Sequence, residues 1–359
     1  MYIKNLELLN YRNYEKLNIE FNKSINLILG RNAQGKTNLI ESLYLSAFGK
    51  SFRTNKDTEL INFGKENAKV KVNCIKEDDE VDLEIIFRKD LKKSAKLNGV
   101  KLKKSSEILD NIYIVIFSPE DLKIVKDEPE KRRRFIDREL CQLKPVYYSN
   151  LINYKKILAQ RNAYLKERDI DRNVLDVWDV QLAKFGQEII KQRREFIEKI
   201  CKISAGIHNS ITNGKENLHI IYDPNVKEQE DFYEILKRNI ENDIRQRTTT
   251  KGPHKDDLIF EIDGINVRSF GSQGQQRTAA LSLKMAEINL IKEETAEDAI
   301  LLLDDVMSEL DEERQEYLLK SLSGCQMFIT TTELSEILLK KFTGGTIFYV
   351  ENGQVNTRK

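Results

Sequence analysis

Tryptophan, histidine and proline are scarce in this chain of 359 residues, with one, three and five copies respectively. Cysteine is little commoner. Cys74, Cys141, Cys201 and Cys325 stand far apart without a C-x-x-C pair, which argues against a zinc knuckle or a disulfide framework and leaves four reduced packing residues. No run of 18 apolar residues occurs, so no membrane-spanning helix is expected. Met1 to Asn5 leads into an alternating strand pattern rather than an apolar signal core. Charge of one sign is also missing: the formal net charge is +1, although 33% of residues are charged. A near-neutral chain draws neither nucleic acid nor membrane by its overall field, so any basic surface has to be local. A cytoplasmic protein without a membrane partner is expected. Internal repeats and low-complexity tails are absent, and the length exceeds the roughly 250–300 residues at which a single core stops growing, so a second lobe is expected.

What is present is a phosphate-binding loop. Gly30-Arg31-Asn32-Ala33-Gln34-Gly35-Lys36-Thr37 fits G-x-x-x-x-G-K-[ST] without a mismatch. Ser24 to Leu29 reads as a strand running into it and Asn38 to Leu43 as the helix leaving it, the context this motif requires. Successive backbone N–H groups of such a loop cradle phosphates at the positive end of the helix. Lys36 is expected to reach the β- and γ-phosphates of ATP and Thr37 to ligate Mg²⁺. Far downstream, Ile300 to Leu303 reads as a buried strand with Asp304 at its carboxyl end, where open α/β sheets place ligands. Asp304 is the expected second contact to Mg²⁺, and Asp305 would orient or deprotonate the attacking water. Ser272-Gln273-Gly274-Gln275 opens a helix. A hydroxyl, a glycine N–H and a helix N-terminus make an anion-binding end there, or else an ordinary N-cap.

The rest of the pattern organises these motifs. Residues 2–9 and 17–29 read as strands broken at Asn10-Tyr11-Arg12-Asn13, and 69–104 as a β-meander with a hairpin turn at Asn98-Gly99. Ile112 to Phe117 reads as a buried strand. From about 130 to 247 the pattern is helical. Val174, Trp178, Leu182, Phe185, Ile189, Phe196 and Ile200 form one apolar stripe, with Arg193 expected elsewhere around the helix and 146–168 as its partner. A helix is expected at 275–293 and another at 333–342. The predicted fold is α/β, a P-loop core plus antiparallel meander formed by 1–129 and 248–359, with a helical arm, 130–247, inserted.

At these residues the chain resembles the ABC-type ATPase heads and, within them, the RecF family of bacterial recombination-repair proteins, over nearly its whole length. The resemblance is carried by Leu9 to Tyr14, Gly30 to Glu41, Lys50 to Arg53, Phe117 to Leu122, Arg132 to Asp137, Gly252 to Leu258, Gly271 to Thr278, Leu301 to Asp305 and Ser308 to Asp311. It implies an ATP-dependent homodimer in which each ATP lies between the P-loop residues Gly30 to Thr37 of one copy and Ser272, Gly274 and Gln275 of the other. Lys36, Ser272, Asp304 and Asp305 would carry the chemistry. It further implies binding to double-stranded DNA near single-strand gaps or junctions, RecO and RecR as partners in loading RecA, and slow DNA-stimulated ATP hydrolysis. Two departures from the general ABC pattern stand out. Asp305 replaces the usual glutamate and is one methylene shorter, and no switch histidine follows the strand at 326–330, where Thr331, Thr332 and Glu333 stand.

For DNA contacts, three basic groups offer themselves: the cluster within 88–104, the run Lys131 to Arg134, and Lys50, Arg53 and Lys56, of which the last is preferred. His254 could sense nucleotide or cap a turn, with the turn favoured. A transporter-coupled ATPase subunit is the competing reading, weakened by the missing histidine. A rod-forming DNA ATPase would need a far longer insert, and a P-loop kinase has no use for Ser272 to Gln276.

Overall fold

The computed structural model describes residues 1–77, 79–227, 230–322, 324–333 and 344–358. From the N-terminus come β1 (Tyr2–Tyr11), β2 (Tyr14–Glu20), β3 (Ile25–Leu29), α1 (Lys36–Phe48), β4 (Asn67–Lys76), β5 (Asp79–Arg88), β6 (Ser94–Leu97), β7 (Val100–Lys101) and β8 (Ile114–Phe117). There follow α2 (Pro129–Leu143), α3 (Pro145–Tyr164), α4 (Arg172–Ile211), β9 (Leu218–Asp223), α5 (Phe232–Arg238), α6 (Ile240–Gln246), β10 (Asp257–Ile262), β11 (Ile265–Asn266), α7 (Val267–Phe270) and α8 (Gln273–Thr295). The described chain closes with β12 (Ile300–Asp304), α9 (Glu312–Ser321), β13 (Met327–Thr331), β14 (Thr346–Glu351) and β15 (Gln354–Arg358). Most of the helix expected at 333–342 lies outside the described residues.

By packing, the chain divides into one unit of Met1–Leu122 with Glu287–Lys359 and a second of Lys123–Ala286. The sequence pattern put the corresponding boundaries at 129/130 and 247/248. The packing boundary takes in more because β10 pairs antiparallel with β9, Phe260 opposite Ile220, and because Arg132 of α2 pairs with Asp257 of β10 at 2.6 Å.

The first unit holds two six-stranded sheets, ordered β2-β1-β4-β5-β6-β7 and β15-β14-β3-β13-β12-β8. Periodicity decides which strand goes where. In β4 the side chains of Ala68, Val70, Val72 and Cys74 are buried while Lys69, Lys71 and Asn73 are partly exposed, the period-two alternation of an antiparallel sheet with one wet face. Strands β8 and β12 are buried at every position, as parallel strands covered on both faces must be. The hairpin at Asn98-Gly99 is present, with φ of 49° and 80° and Leu97 paired to Val100. The expected strand at 17–29 is in fact two strands in different sheets. Between them the Asn26 amide accepts the Asn22 N–H and donates to the Asn22 carbonyl, and Asn22 Oδ1 accepts the Ser24 N–H, so that side-chain bonds at 22–26 end one ladder and start the next.

The second unit is helical around α3 and the 40-residue α4, with the small sheet β11-β10-β9. The buried stripe of α4 runs Leu175, Asp179, Leu182, Gly186, Ile189, Arg193, Phe196, Ile200. Arg193, expected off the stripe, therefore lies in it, only 2% exposed, because Asp137 and Asp256 meet its guanidinium at 2.8 Å each. Trp178, half-buried, leans on the Tyr164 ring of α3 at 5.0 Å.

Candidate nucleotide-binding site

The loop from Gly30 to Thr37 joins the end of β3 to the start of α1. Its course depends on two glycines. A Cβ on Gly30 would stand 2.4 Å from the Val350 carbonyl oxygen, and Gly35 has a φ of +122°, open to little but glycine. The loop is braced from elsewhere in the same unit. Tyr14 Oη donates to the Gly35 carbonyl at 2.9 Å, Asn13 donates to the Gln34 carbonyl at 2.9 Å, and the Asn352 N–H donates to Gln34 Oε1 at 2.7 Å.

Lys36 curls over the loop and donates to the carbonyls of Gly30 at 2.6 Å and Arg31 at 3.1 Å. Burial holds its ammonium below the usual lysine range, while Asp305 and Asp304 act to raise it. An ammonium held on two carbonyls by loop geometry is positioned to move onto an anion that offers full charge. Thr37 Oγ1 donates to Asp304 Oδ1 at 3.3 Å. Thr330, on β13 opposite Asp304, donates to the same Oδ1 at 2.8 Å and accepts the N–H of Asp305 at 2.9 Å. Burial raises the Asp304 carboxyl, and bonds from Thr330 and Thr37 bring it part of the way back. Asp305 is exposed with a φ of +54°, a left-handed turn that lifts its side chain off the end of β12. A threonine hydroxyl beside a carboxylate is a hard oxygen donor pair, which suits Mg²⁺.

Thr330 is the residue sequence reasoning missed. Its neighbours Thr331 and Glu333, which stand at the switch position, bond each other instead: Thr331 Oγ1 donates to the Glu333 carbonyl at 2.8 Å. After β8 the chain turns, with Ser118 donating through N and Oγ to Asp121 at 2.9 and 2.6 Å.

Glu41, fully buried on α1, was also unassigned. Tyr11, Arg12 and Ser51 all donate to it, Arg12 through two nitrogens at 2.9 and 2.8 Å, and Arg53 pairs with it at 3.7 Å. The motif Asn10 to Asn13 was legible as a turn but not as a clamp on this carboxylate. Of the preferred basic group, Arg53 is thus tethered to Glu41 and Asn38, Lys56 is 77% exposed beside Glu59, and Lys50 is exposed. The run Lys131 to Arg134 is largely committed inside the second unit: Arg132 is 1% exposed on Asp257, Lys131 pairs with Asp127, and Arg134 pairs with Glu130.

In the second unit Ser272 caps α8. Gln275 N–H donates to Ser272 Oγ at 3.2 Å and Ser272 N–H donates to Gln275 Oε1 at 3.0 Å, a reciprocal capping box. The Gln275 amide also donates to Glu216 at 3.0 Å. Its side chain, expected on the nucleotide, is occupied in this arrangement, whereas Ser272 keeps its own hydroxyl proton and the first-turn N–H of Gly274 has no partner in the helix.

His254 plays the turn role. Nε2–H donates to the Thr249 carbonyl at 2.9 Å, leaving Nδ1 to accept the Tyr154 hydroxyl at 2.6 Å. Burial pushes the imidazole down to about 4. Between pH 6.5 and 4 the unfolded chain then binds one more proton than the folded one, so acidification favours unfolding. About 2 kcal/mol of stability is expected to go from this group alone by pH 5. Urea unfolding followed by Trp178 fluorescence at pH 7 and pH 5 tests this: His254→Gln should lose less on acidification than the parent, and an equal loss would remove His254 as the cause.

One known pattern takes in nearly all of the described chain. Residues 2–354 match the RecF/RecN/SMC N-terminal domain. The chain is 47% identical to the DNA replication and repair protein RecF of Alkaliphilus oremlandii (strain OhILAs) over 99% of its length and 100% of the relative's. The chain belongs to the RecF family. A second relative, the DNA replication and repair protein RecF of Clostridioides difficile (strain 630), is 48% identical, with 99% of this chain and 98% of the relative covered. Among solved structures, the recombination mediator protein RecF with ATP in the RecFOR pathway superposes with a TM-score of 0.92 at 37% identity, over 100% of this chain and 98% of that one. An Smc head bound to the C-terminal winged-helix domain of ScpA shares the fold, with a TM-score of 0.58 at 19% identity over 100% of this chain and 97% of that one. The fold is therefore the ABC-type α/β head with an arm expected from the motifs.

Proposed function

We propose that the chain is an ATP-dependent DNA-repair protein and a slow, DNA-stimulated ATPase. Two copies close on ATP and Mg²⁺, and the closed dimer binds double-stranded DNA next to single-strand gaps or junctions, where with RecO and RecR proteins it assists the loading of RecA. In this reading 1–129 and 248–359 serve as the head and 130–247 as the arm. Gly30 to Thr37 wrap the phosphates, Lys36 leaves its carbonyls for the β- and γ-phosphates, and Thr37 and Asp304 would hold Mg²⁺, which supplies charge neutralisation on the transferred phosphoryl group. Asp305 orients the attacking water. Ser272 and Gly274, with Gln275 as the cap that fixes them, meet the γ-phosphate bound by the other copy. The observation that carries the proposal is the convergence of Lys36, Thr37, Asp304 and Asp305 in one unit of a chain 47% identical throughout to a DNA replication and repair protein. A transporter-coupled subunit is not favoured, since the relatives carry replication and repair names.

The test is binding of labelled duplex to Asp305→Asn with and without ATP-Mg²⁺. The variant should trap ATP, and duplex binding should appear only with nucleotide. No binding in either state would remove DNA as the partner. In the same assay the double change Lys50→Glu, Arg53→Glu should weaken duplex binding while sparing ATP binding, and unchanged affinity would remove this patch, with Lys56, as the contact.

A further inference from the structure

Two segments that the nucleotide site does not use, Arg132 to Asp137 and Gly252 to Leu258, meet within the second unit at a cavity of about 270 Å³. Its wall is part apolar, from Leu151, Ile189 and Pro253, and part cationic. The cations are not equally satisfied. Arg134 pairs with Glu130 at 2.6 Å, and Lys155 with Asp137 at 3.2 Å. Arg193 is shared between Asp137 and Asp256 at 2.8 Å each and also donates to the Tyr147 hydroxyl and the Pro253 carbonyl. Among the described residues, Arg133 alone of these cations has no carboxylate in ion-pair contact. Its one described bond is from Nη1 to the Asp256 backbone carbonyl at 2.7 Å. It is half-buried, and burial together with the neighbouring Arg193 charge disfavours its guanidinium.

A half-desolvated guanidinium that feels Asp257, Asp256 and Glu130 only from beyond contact is costly, and a ligand that brings a carboxylate into contact recovers part of that cost. We propose that this cavity is a binding site for a single carboxylate carried on an apolar group, with Arg133 as its anchor and Leu151, Ile189 and Pro253 as the apolar wall. Charge balance selects the class. Once the other pairs are counted, one positive charge remains, which one carboxylate neutralises, whereas a phosphate monoester brings close to two negative charges. A planar guanidinium also matches a carboxylate edge to edge. Size excludes more. At about 270 Å³ the site falls below the range for drug-sized ligands and far below a duplex, but it admits one acidic side chain with an apolar neighbour, or a small branched acid. Tyr154 and His254 close the floor by bonding to each other, so neither competes for the ligand.

The proposal does not depend on ATP or DNA. It is tested on the full chain labelled with ¹⁵N-arginine, reading the Arg133 Nε–H resonance, which is assigned by its loss in Arg133→Gln. The probes are N-acetyl-Leu-Glu-Leu-amide, its neutral counterpart N-acetyl-Leu-Gln-Leu-amide, 4-methylvalerate and inorganic phosphate. Both carboxylates should shift the resonance saturably, with dissociation constants on the order of 1 mM, and the neutral peptide should not. A peptide at least about tenfold tighter than 4-methylvalerate marks a protein segment as the natural ligand, and equal affinities mark a small acid. Calorimetry with the tighter carboxylate should then show binding lost in Arg133→Gln and kept, weakened, in Arg133→Lys, with both variants retaining the parent's unfolding midpoint. The idea is overturned if neither carboxylate saturates, if the glutamine peptide shifts the resonance equally, if phosphate binds more tightly than both acids, or if Arg133→Gln binds as the parent does.

Discussion

Replacing Arg193 by leucine costs the second unit roughly 3–5 kcal/mol, the largest stability effect expected from any single change considered for this chain. The guanidinium is 2% exposed and donates to four groups: Tyr147 Oη at 3.0 Å, the Pro253 carbonyl at 2.6 Å, Asp256 at 2.8 Å and Asp137 at 2.8 Å. Leucine fills much of the volume but removes the cation that Asp137 and Asp256 share, leaving Asp137 with only Lys155 at 3.2 Å. Burial alone would push the Asp137 carboxyl up; Arg193, helped by Lys155, outweighs it and holds the group below the usual range. Asp256 is raised by burial even with Arg193 present. Without the arginine both folded-state values rise relative to the parent's. The folded variant then binds more protons as pH falls, and its deficit against the parent shrinks on acidification. Trp178 is the only tryptophan and lies in this unit, so its emission during urea unfolding reads the effect directly. A deficit below about 1 kcal/mol, or one that grows toward acid pH, would mean that the network is worth no more than a surface pair.

The second large effect is on turnover. Thr330→Val keeps the shape of a fully buried side chain and removes the hydroxyl that binds Asp304 at 2.8 Å and Asp305 N–H at 2.9 Å. A hydrogen bond to a charged group contributes roughly 1.5–3 kcal/mol, so ATP turnover should fall about 10- to 100-fold. Thr330 is a positioning residue in this account, since it acts through the two aspartates. The half-saturating Mg²⁺ concentration should therefore rise as kcat falls, while Thr330→Ser stays near the parent. A valine variant with normal kcat and normal Mg²⁺ demand would show that the two aspartates hold their places unaided. Turnover absent from the parent as well would count instead against the proposed activity.

How much of this was legible in the sequence depended on whether neighbours in the chain are also neighbours in space. The P-loop was legible because strand, loop and helix are contiguous and each obeys its own period. Ile300 to Asp305 was legible because a four-residue apolar run ending in acids has few other meanings. Thr330 was not, since nothing local separates it from Thr331 and Thr332. Only the register of β13 against β12 picks out the residue facing Asp304. Arg193 was assigned to the wrong part of its helix for a related reason. Hydropathy places charges outside, and it took Asp137 and Asp256, 56 and 63 residues away, to make an interior position tolerable. The run Lys131 to Arg134 looked like a surface for phosphates until the acids that occupy it, Asp127, Glu130 and Asp257, came into place. That β9 and β10 pack together was not legible either, because they pair across the 33 residues from 224 to 256.

The bracing of the phosphate loop by the last hairpin has a consequence for how the molecule is made. Val350 backs Gly30, and Asn352 and Gly353 bond to Gln34, partners 318 positions apart in the case of Asn352. On the ribosome, Gln34 emerges 318 residues ahead of the Asn352 that braces it. At about 5–20 residues per second, the loop waits some tens of seconds for its support. A nascent or prematurely terminated chain therefore carries the motif in full without the shape that makes it useful. Nucleotide affinity should switch on abruptly once a growing chain extends through Gly353.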